Sequence, residues 1–208
     1  MQKNITMSGS ILQSLSREGR AREGVSKVPG ELGLWGFLFC DLSIFTTLFG
    51  VWMYYRSQDI VGFTQSQATL SETYATLNTI LLLLSSWCVV MALKWTRSQD
   101  LDRAKAMIIA AMSCGVGFSV VKIIEYADKA KSGITIVTNE FYTLYFMATG
   151  MHFLHVIIGL GVLSLMYIKL SKTHINEADY DSMENGATYW HMVDLLWIIL
   201  FPLIYLMG

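Results

Sequence analysis

Charge is the first thing this chain is short of. Asp, Glu, Lys and Arg make up 15% of its 208 residues, against about 25% in an ordinary soluble domain. Hydrophobic residues make up 53% and mean hydropathy is +0.45. A water-soluble domain of this length would need a larger charged surface, so the solvent for most of this one must be lipid. There is no excess of positive charge either. The net charge is −1, which offers nothing to a nucleic-acid backbone. Cysteine is sparse and unpatterned: Cys40, Cys88 and Cys114 each sit inside an apolar run with no CxxC spacing. They read as small buried core residues rather than redox or metal groups. Residues 1–30 lack the apolar stretch and small-residue cleavage site of a signal peptide, so the first apolar run is expected to remain as a span. Internal repeats and low-complexity tracts are also missing.

What the chain does have is five long apolar runs. A helix needs about 20 apolar residues to cross the hydrocarbon layer. Leu32–Tyr55, Thr73–Trp95, Ala104–Tyr126, Phe141–Ile168 and Ala187–Met207 all qualify. The expected fold is therefore an all-α bundle of five transmembrane helices over residues 31–208, preceded by a polar, basic N-terminal arm over residues 1–30. The connections 56–72, 96–103, 127–140 and 169–186 read as short polar loops. Lys3, Arg17, Arg20, Arg22 and Lys27 crowd the arm. Lys94, Arg97, Arg103, Lys105, Lys169 and Lys172 fall on the same side of the membrane as the arm, while the other side holds Arg56, Lys129 and Lys131. The positive-inside bias then predicts a cytoplasmic N-terminus and an outside C-terminus.

Small residues line the third span, and Ala111 with Gly115 makes a small-xxx-small pair that suits close packing inside the molecule. Gly150, Gly159 and Gly161 in the fourth span read the same way. Trp35, Trp52, Trp87, Trp95, Tyr54, Tyr55 and Tyr126 read mostly as interfacial aromatics near helix ends. The acidic stretch Glu177, Asp179, Asp181 and Glu184 reads as a solvated loop rather than a docking face.

Ionisable groups inside a span are expensive and are kept for a reason. They are Asp41, Lys122, Glu125, His152, His155, His191 and Asp194. Lys122 and Glu125 are i,i+3 neighbours near the outer end of the third span, placed to pair or to snorkel. At ~1.5 Å rise per residue, Asp41 lies ~15 Å deep, level with His152, while His155 and Asp194 lie about one turn nearer the cytoplasm. This predicts that Asp41 bonds His152 or His155, and that Asp194 bonds the other of these two histidines or a nearby backbone group. Three functions fit the cluster. One is a metal or haem site built from the i,i+3 pairs His152/His155 and His191/Asp194. Another is a proton path. The third is a hydrogen-bonded core that fixes helix register in a protein working within a larger complex. The Glu-x-x-His pairs of di-iron bundles are missing, as are the broken helices and inverted repeats of transporters. The third reading ranks first.

The residues also resemble a known family. Phe146–Gly159 (FMATGMHFLHVIIG) and Gly186–Trp197 (GATYWHMVDLLW) closely resemble the signature of subunit III of the haem-copper cytochrome oxidases. Leu77–Ser86 (LNTILLLLSS), Phe37–Phe45 (FLFCDLSIF) and Ile123–Tyr126 (IIEY) look like further family segments, in order, over residues 30 to 208. There are departures: five spans where full-length members have seven, Asp41 where Glu is usual, Phe153 where Gly is common, and Leu93-Lys94-Trp95 where a His pair is usual. The opening Val28–Trp35 (VPGELGLW) looks most like the five-helix nitric oxide reductase E-type branch tied to denitrification; short bacterial oxidase subunits III share the architecture. The resemblance implies a non-catalytic accessory subunit of a respiratory complex in a bacterial cytoplasmic membrane. Haem and copper would be confined to a partner catalytic subunit that reduces oxygen or nitric oxide. Phospholipid would be the only ligand of its own. Asp41 would match the family's buried carboxylate near proton entry, with His152 or His155 as its partner, and His191, Asp194 and Glu125 would match polar positions without an assigned role.

Overall fold

The computed structural model describes residues 32–172 and 175–207, so the arm over residues 1–30 lies outside the described residues. The elements are α1 (Leu32–Gln58), α2 (Ile60–Gln67), α3 (Glu72–Arg97), α4 (Leu101–Lys131), α5 (Glu140–Leu170) and α6 (Glu177–Phe201). A π-helical turn, Pro202–Leu206, continues α6. All described secondary structure is helical, and five helices are long and apolar enough to cross a membrane. This is a multi-pass membrane protein.

Local chemistry sets the helix ends. The side chains of Asp59, Asp100, Asn139 and Asn176 each accept a hydrogen bond from a backbone N–H in the following first turn, satisfying donors that a helix start leaves unpaired. Gly133, at φ 75°, follows the end of α4, where a left-handed residue lets the chain turn away. Pro202 has no N–H to give the preceding turn. The helix widens there, and Met207 N–H closes on Pro202 O at 3.0 Å, which brings Tyr205 into the core at 2% exposure.

Two segments differ from the loops expected of them. Within 56–72 lies α2, whose Phe63 is buried against Trp52 at 5.7 Å and Phe141 at 5.5 Å. Trp52 is accordingly a core residue beneath α2, not an interfacial one. Within 169–186, the acidic stretch from Glu177 forms the first turns of α6. It is tied down rather than free: Lys172 Nζ lies 2.8 Å from Asp179 and Arg97 2.6 Å from Glu184. The asparagine cap of Asn176 starts this helix well before the apolar run does.

Helices α3, α4, α5 and α6 close into a bundle, each packing on two of the others, and α1 leans on its α5–α6 side. Trp190 is the bundle's keystone. A Cβ on Gly159 would sit 2.6 Å from its ring, and one on Gly115 3.0 Å away, so both glycines are needed for the indole to lie between α4 and α5. The indole N–H donates to Ser85 Oγ at 3.1 Å, and Ser85 donates to Ala111 O at 2.9 Å. Ala111 and Gly115 thus do pack inside the molecule. Gly150 and Gly161 do not: nothing lies within 4 Å of a Cβ at either. Among the cysteines, Cys88 is buried, but Cys40 is exposed, because Asp41 beside it takes the inward position.

Candidate functional site: the polar core of the bundle

The ionisable side chains fall into separate groups rather than one. At the end of the bundle where α6 finishes, Lys122 and Glu125 on α4 form an ion pair of 2.9 Å with 0% and 2% side-chain exposure. They pair and do not snorkel. Lys122 Nζ also donates to Tyr205 at 3.0 Å and Tyr145 at 3.4 Å. Glu125 Oε1 accepts from Tyr145 at 2.8 Å and from Tyr205 at 2.7 Å. An ammonium has three N–H donors, and here all of them are used. The knot is therefore closed, with every proton directed at a member of the group. The rings of Trp197 and Tyr205 lie 5.1 and 5.6 Å from the ammonium, within the range where an aromatic face stabilises a cation.

One layer further in, His152 is fully buried. Its ring packs on Phe118 at 5.6 Å and Trp197 at 5.1 Å, and neither nitrogen has a hydrogen-bond partner. Trp197 in turn donates to Thr79 at 3.0 Å.

His155, not His152, meets Asp41. Nε2 lies 2.8 Å from Asp41 Oδ2. Three residues along a helix leave side chains ~60° apart in azimuth, so His155 turns to α1 while His152 turns into the bundle. His155 Nδ1 lies 2.7 Å from Met151 O, a carbonyl that can only accept, so Nδ1 carries a hydrogen. Oδ2 is not aligned with the ring as a hydrogen bond, but two bare lone pairs at this distance would repel, so a further proton belongs on the ring or the carboxylate. As imidazolium with carboxylate or as imidazole with carboxylic acid, the pair is neutral overall, the form that hydrocarbon tolerates.

Asp194 departs from its expected partner. It does not reach a histidine of α5. It faces α3, beside Ser86, with His191 Nδ1 of its own helix 3.8 Å away. His191 Nδ1 lies 2.7 Å from Ser86 Oγ. Asp194 shares a face of α6 with Trp190 and Trp197 at i, i+4, i+7 spacing, but the two indoles fill the space toward α4 and α5, which leaves its carboxylate beside α3.

The hydroxyl partners Tyr145, Tyr205 and Ser86 were not among the residues singled out from the sequence. Depth would have found some of them. Tyr145 lies ~6 Å in from Phe141 and Lys122 ~6 Å in from Tyr126, so both sit at the same level from the same face. Among the described residues, no three His, Cys, Asp or Glu side chains converge as a metal would require; the i,i+3 pairs His152/His155 and His191/Asp194 point to different neighbours.

With this geometry in view, comparison with known proteins is informative. The family model for cytochrome c oxidase subunit III matches residues 24–208. The chain belongs to the cytochrome c oxidase subunit III family. Quinol oxidase subunit 3 of Bacillus subtilis is 28% identical over 177 residues, covering 85% of this chain and 86% of that protein. Cytochrome c oxidase subunit 3 of Bacillus sp. strain PS3 is 25% identical over 177 residues, 85% of each chain. Cytochrome c oxidase subunit 3 of Aedes aegypti is 28% identical over 214 residues, covering 94% of this chain and 77% of that protein. The match to subunit III spans every helix that carries the polar core, from Asp41 to Tyr205.

Proposed function

We propose that this subunit III works as a non-catalytic accessory subunit of a haem-copper-type respiratory complex in a bacterial cytoplasmic membrane, where it supports assembly, stability and proton uptake. The observation that carries this reading is that most of the membrane-embedded ionisable groups pair within the chain, His152 and Asp194 excepted. Lys122 and Glu125 close on two tyrosines, His155 is taken by Asp41, and His191 by Ser86. Of the membrane histidines, His155 and His191 are thereby engaged in tying helices together. Haem and copper belong, in this reading, to the partner catalytic subunit, and phospholipid is the ligand proposed for this chain.

Orientation follows the charge bias. Arg97, Arg103, Lys105, Lys169 and Lys172 lie at one end of the bundle, at the α3–α4 and α5–α6 connections. That end faces the cytoplasm, with the N-terminus on that side of the membrane and the C-terminus outside. Asp41 and His155, paired on the flank of the bundle, are the groups through which the subunit supports proton uptake. The names of the relatives, quinol oxidase and cytochrome c oxidase, favour a partner that reduces oxygen. The opening Val28–Trp35 favours nitric oxide reduction.

Extraction of the tagged chain in mild detergent tests the reading. A larger, haem-bearing protein should come with it, and turnover of that complex with oxygen or with nitric oxide identifies the reaction. A monodisperse, haem-free species that conducts protons or a small ligand in liposomes would instead establish an autonomous membrane protein.

A further inference from the structure

Hydrocarbon offers no hydrogen-bond partner, so a polar atom facing outward at mid-membrane must be matched by protein. The outward strips of the helices differ in this respect. On α4 the strip is apolar, with Val116 and Ile123 about half exposed, and its Ser113 hydroxyl donates back to Ile109 O at 2.9 Å. On α5, Leu154 and Ile157 are similar, and Ser164 donates to Leu160 O at 2.8 Å. On α1, Ser43, Thr46 and Thr47 all donate to carbonyls one turn back, and Asp41 is held by His155.

The seam between α3 and α6 is different. The His191 side chain is 36% exposed there. Its Nδ1 is taken by Ser86, which turns Nε2 away from the chain; among the described residues nothing meets it. Either tautomer leaves that nitrogen with unmet hydrogen-bonding capacity. Behind the ring lies the buried Asp194 carboxylate, both of whose oxygens lack a hydrogen-bond partner. Next to Ser86, Trp87 is 57% exposed, also with no indole partner among the described residues. Trp87 lies ~15 Å from the end of α3 at Arg97, at mid-depth rather than in the interfacial belts where tryptophan usually sits. An imidazole is too short to snorkel over that distance. A partly exposed tryptophan beside a polar anchor, ringed by apolar side chains such as Val90 and Leu195, is the make-up of a contact centre.

We propose that the α3–α6 seam receives a transmembrane helix of the haem-bearing catalytic subunit, and that His191 Nε2 makes a mid-membrane hydrogen bond to a polar side chain or carbonyl on that helix. This rests on the accessory-subunit reading and names the face it uses. The test is made on the full chain co-expressed with its complex, carrying a photo-cross-linking residue (p-benzoylphenylalanine) at Val90 or Leu195, with Val116 and Ile157 as comparison sites on α4 and α5. Cross-links from the seam positions to the haem-bearing subunit, and from the comparison sites to lipid, are expected. Cross-links to that subunit from the comparison sites alone, or from the seam to a second copy of this chain, overturn the docking face while co-purification leaves the accessory role standing. Loss of co-purification and of haem from every preparation overturns both. His191→Ala should reduce the catalytic subunit retained through detergent washing about fivefold, the effect of one lost hydrogen bond. His191→Gln should restore most of it. Equal retention in both variants, or equal loss, would refute the hydrogen bond.

Discussion

The four-helix bundle and the first helix solve the same problem in opposite ways. Both carry ionisable groups into hydrocarbon. The bundle surrounds its pair on every side: Lys122 and Glu125 are enclosed by α4, α5 and the turn after α6, and their hydrogen bonds close on themselves. The most apolar stretch of α1 is only 17% buried, against 56% for the span containing α6, and its polar tie to the bundle is Asp41 with His155. The contrast teaches that a buried charge can serve as a rivet or as a hinge pin. A closed network locks helices that already pack well. A single pair at the flank holds a helix that packing alone secures weakly.

Breaking the rivet should have the largest effect. Lys122→Met leaves Glu125 uncompensated in the core, which costs about 3–5 kcal/mol, read as loss of folded protein in thermal unfolding in detergent. The double variant Lys122→Met with Glu125→Leu should recover much of this, because an apolar pair of similar volume replaces a buried ion pair at little cost; no recovery would show that the knot does more than balance charge. Tyr205→Phe removes a hydrogen bond to the carboxylate and should cost about 1.5–3 kcal/mol. Gly159→Ala pushes a Cβ to 2.6 Å from Trp190 and should cost about 1–3 kcal/mol by overpacking, whereas Gly161→Ala, with open space around it, should leave unfolding unchanged. Asp41→Ala should also disturb the bundle itself little. Its effect should appear as impaired assembly or slowed turnover of the complex without loss of the chemistry, measured by subunit stoichiometry and steady-state rate. Complete loss of activity in a fully assembled complex would contradict the hinge-pin assignment.

Depth along a helix was legible before any coordinates, and azimuth was not. The ~1.5 Å rise brought Asp41 and the histidines of α5 to neighbouring levels, and the structure selects His155 for Asp41. The same ruler could not tell that Asp194 looks toward Ser86 on α3 rather than toward α5. That choice depends on which side of α6 the tryptophans fill. Lys122 and Glu125 were recognisable as i,i+3 neighbours. Their tyrosines come from two other helices, one of them placed by the π-helical turn at Pro202, and chain spacing carries no such information.

Run length and scarcity of charge are enough to require five crossings, because a backbone in lipid must satisfy its own hydrogen bonds and only long apolar helices do so. The i,i+3 spacings already name the residues that must find partners. Which partner each one takes was decided by packing: the rotation of each helix about its axis is set by where large rings such as Trp190 and Trp197 find room beside small residues. That is a property of surfaces meeting in three dimensions, and no single helix contains it.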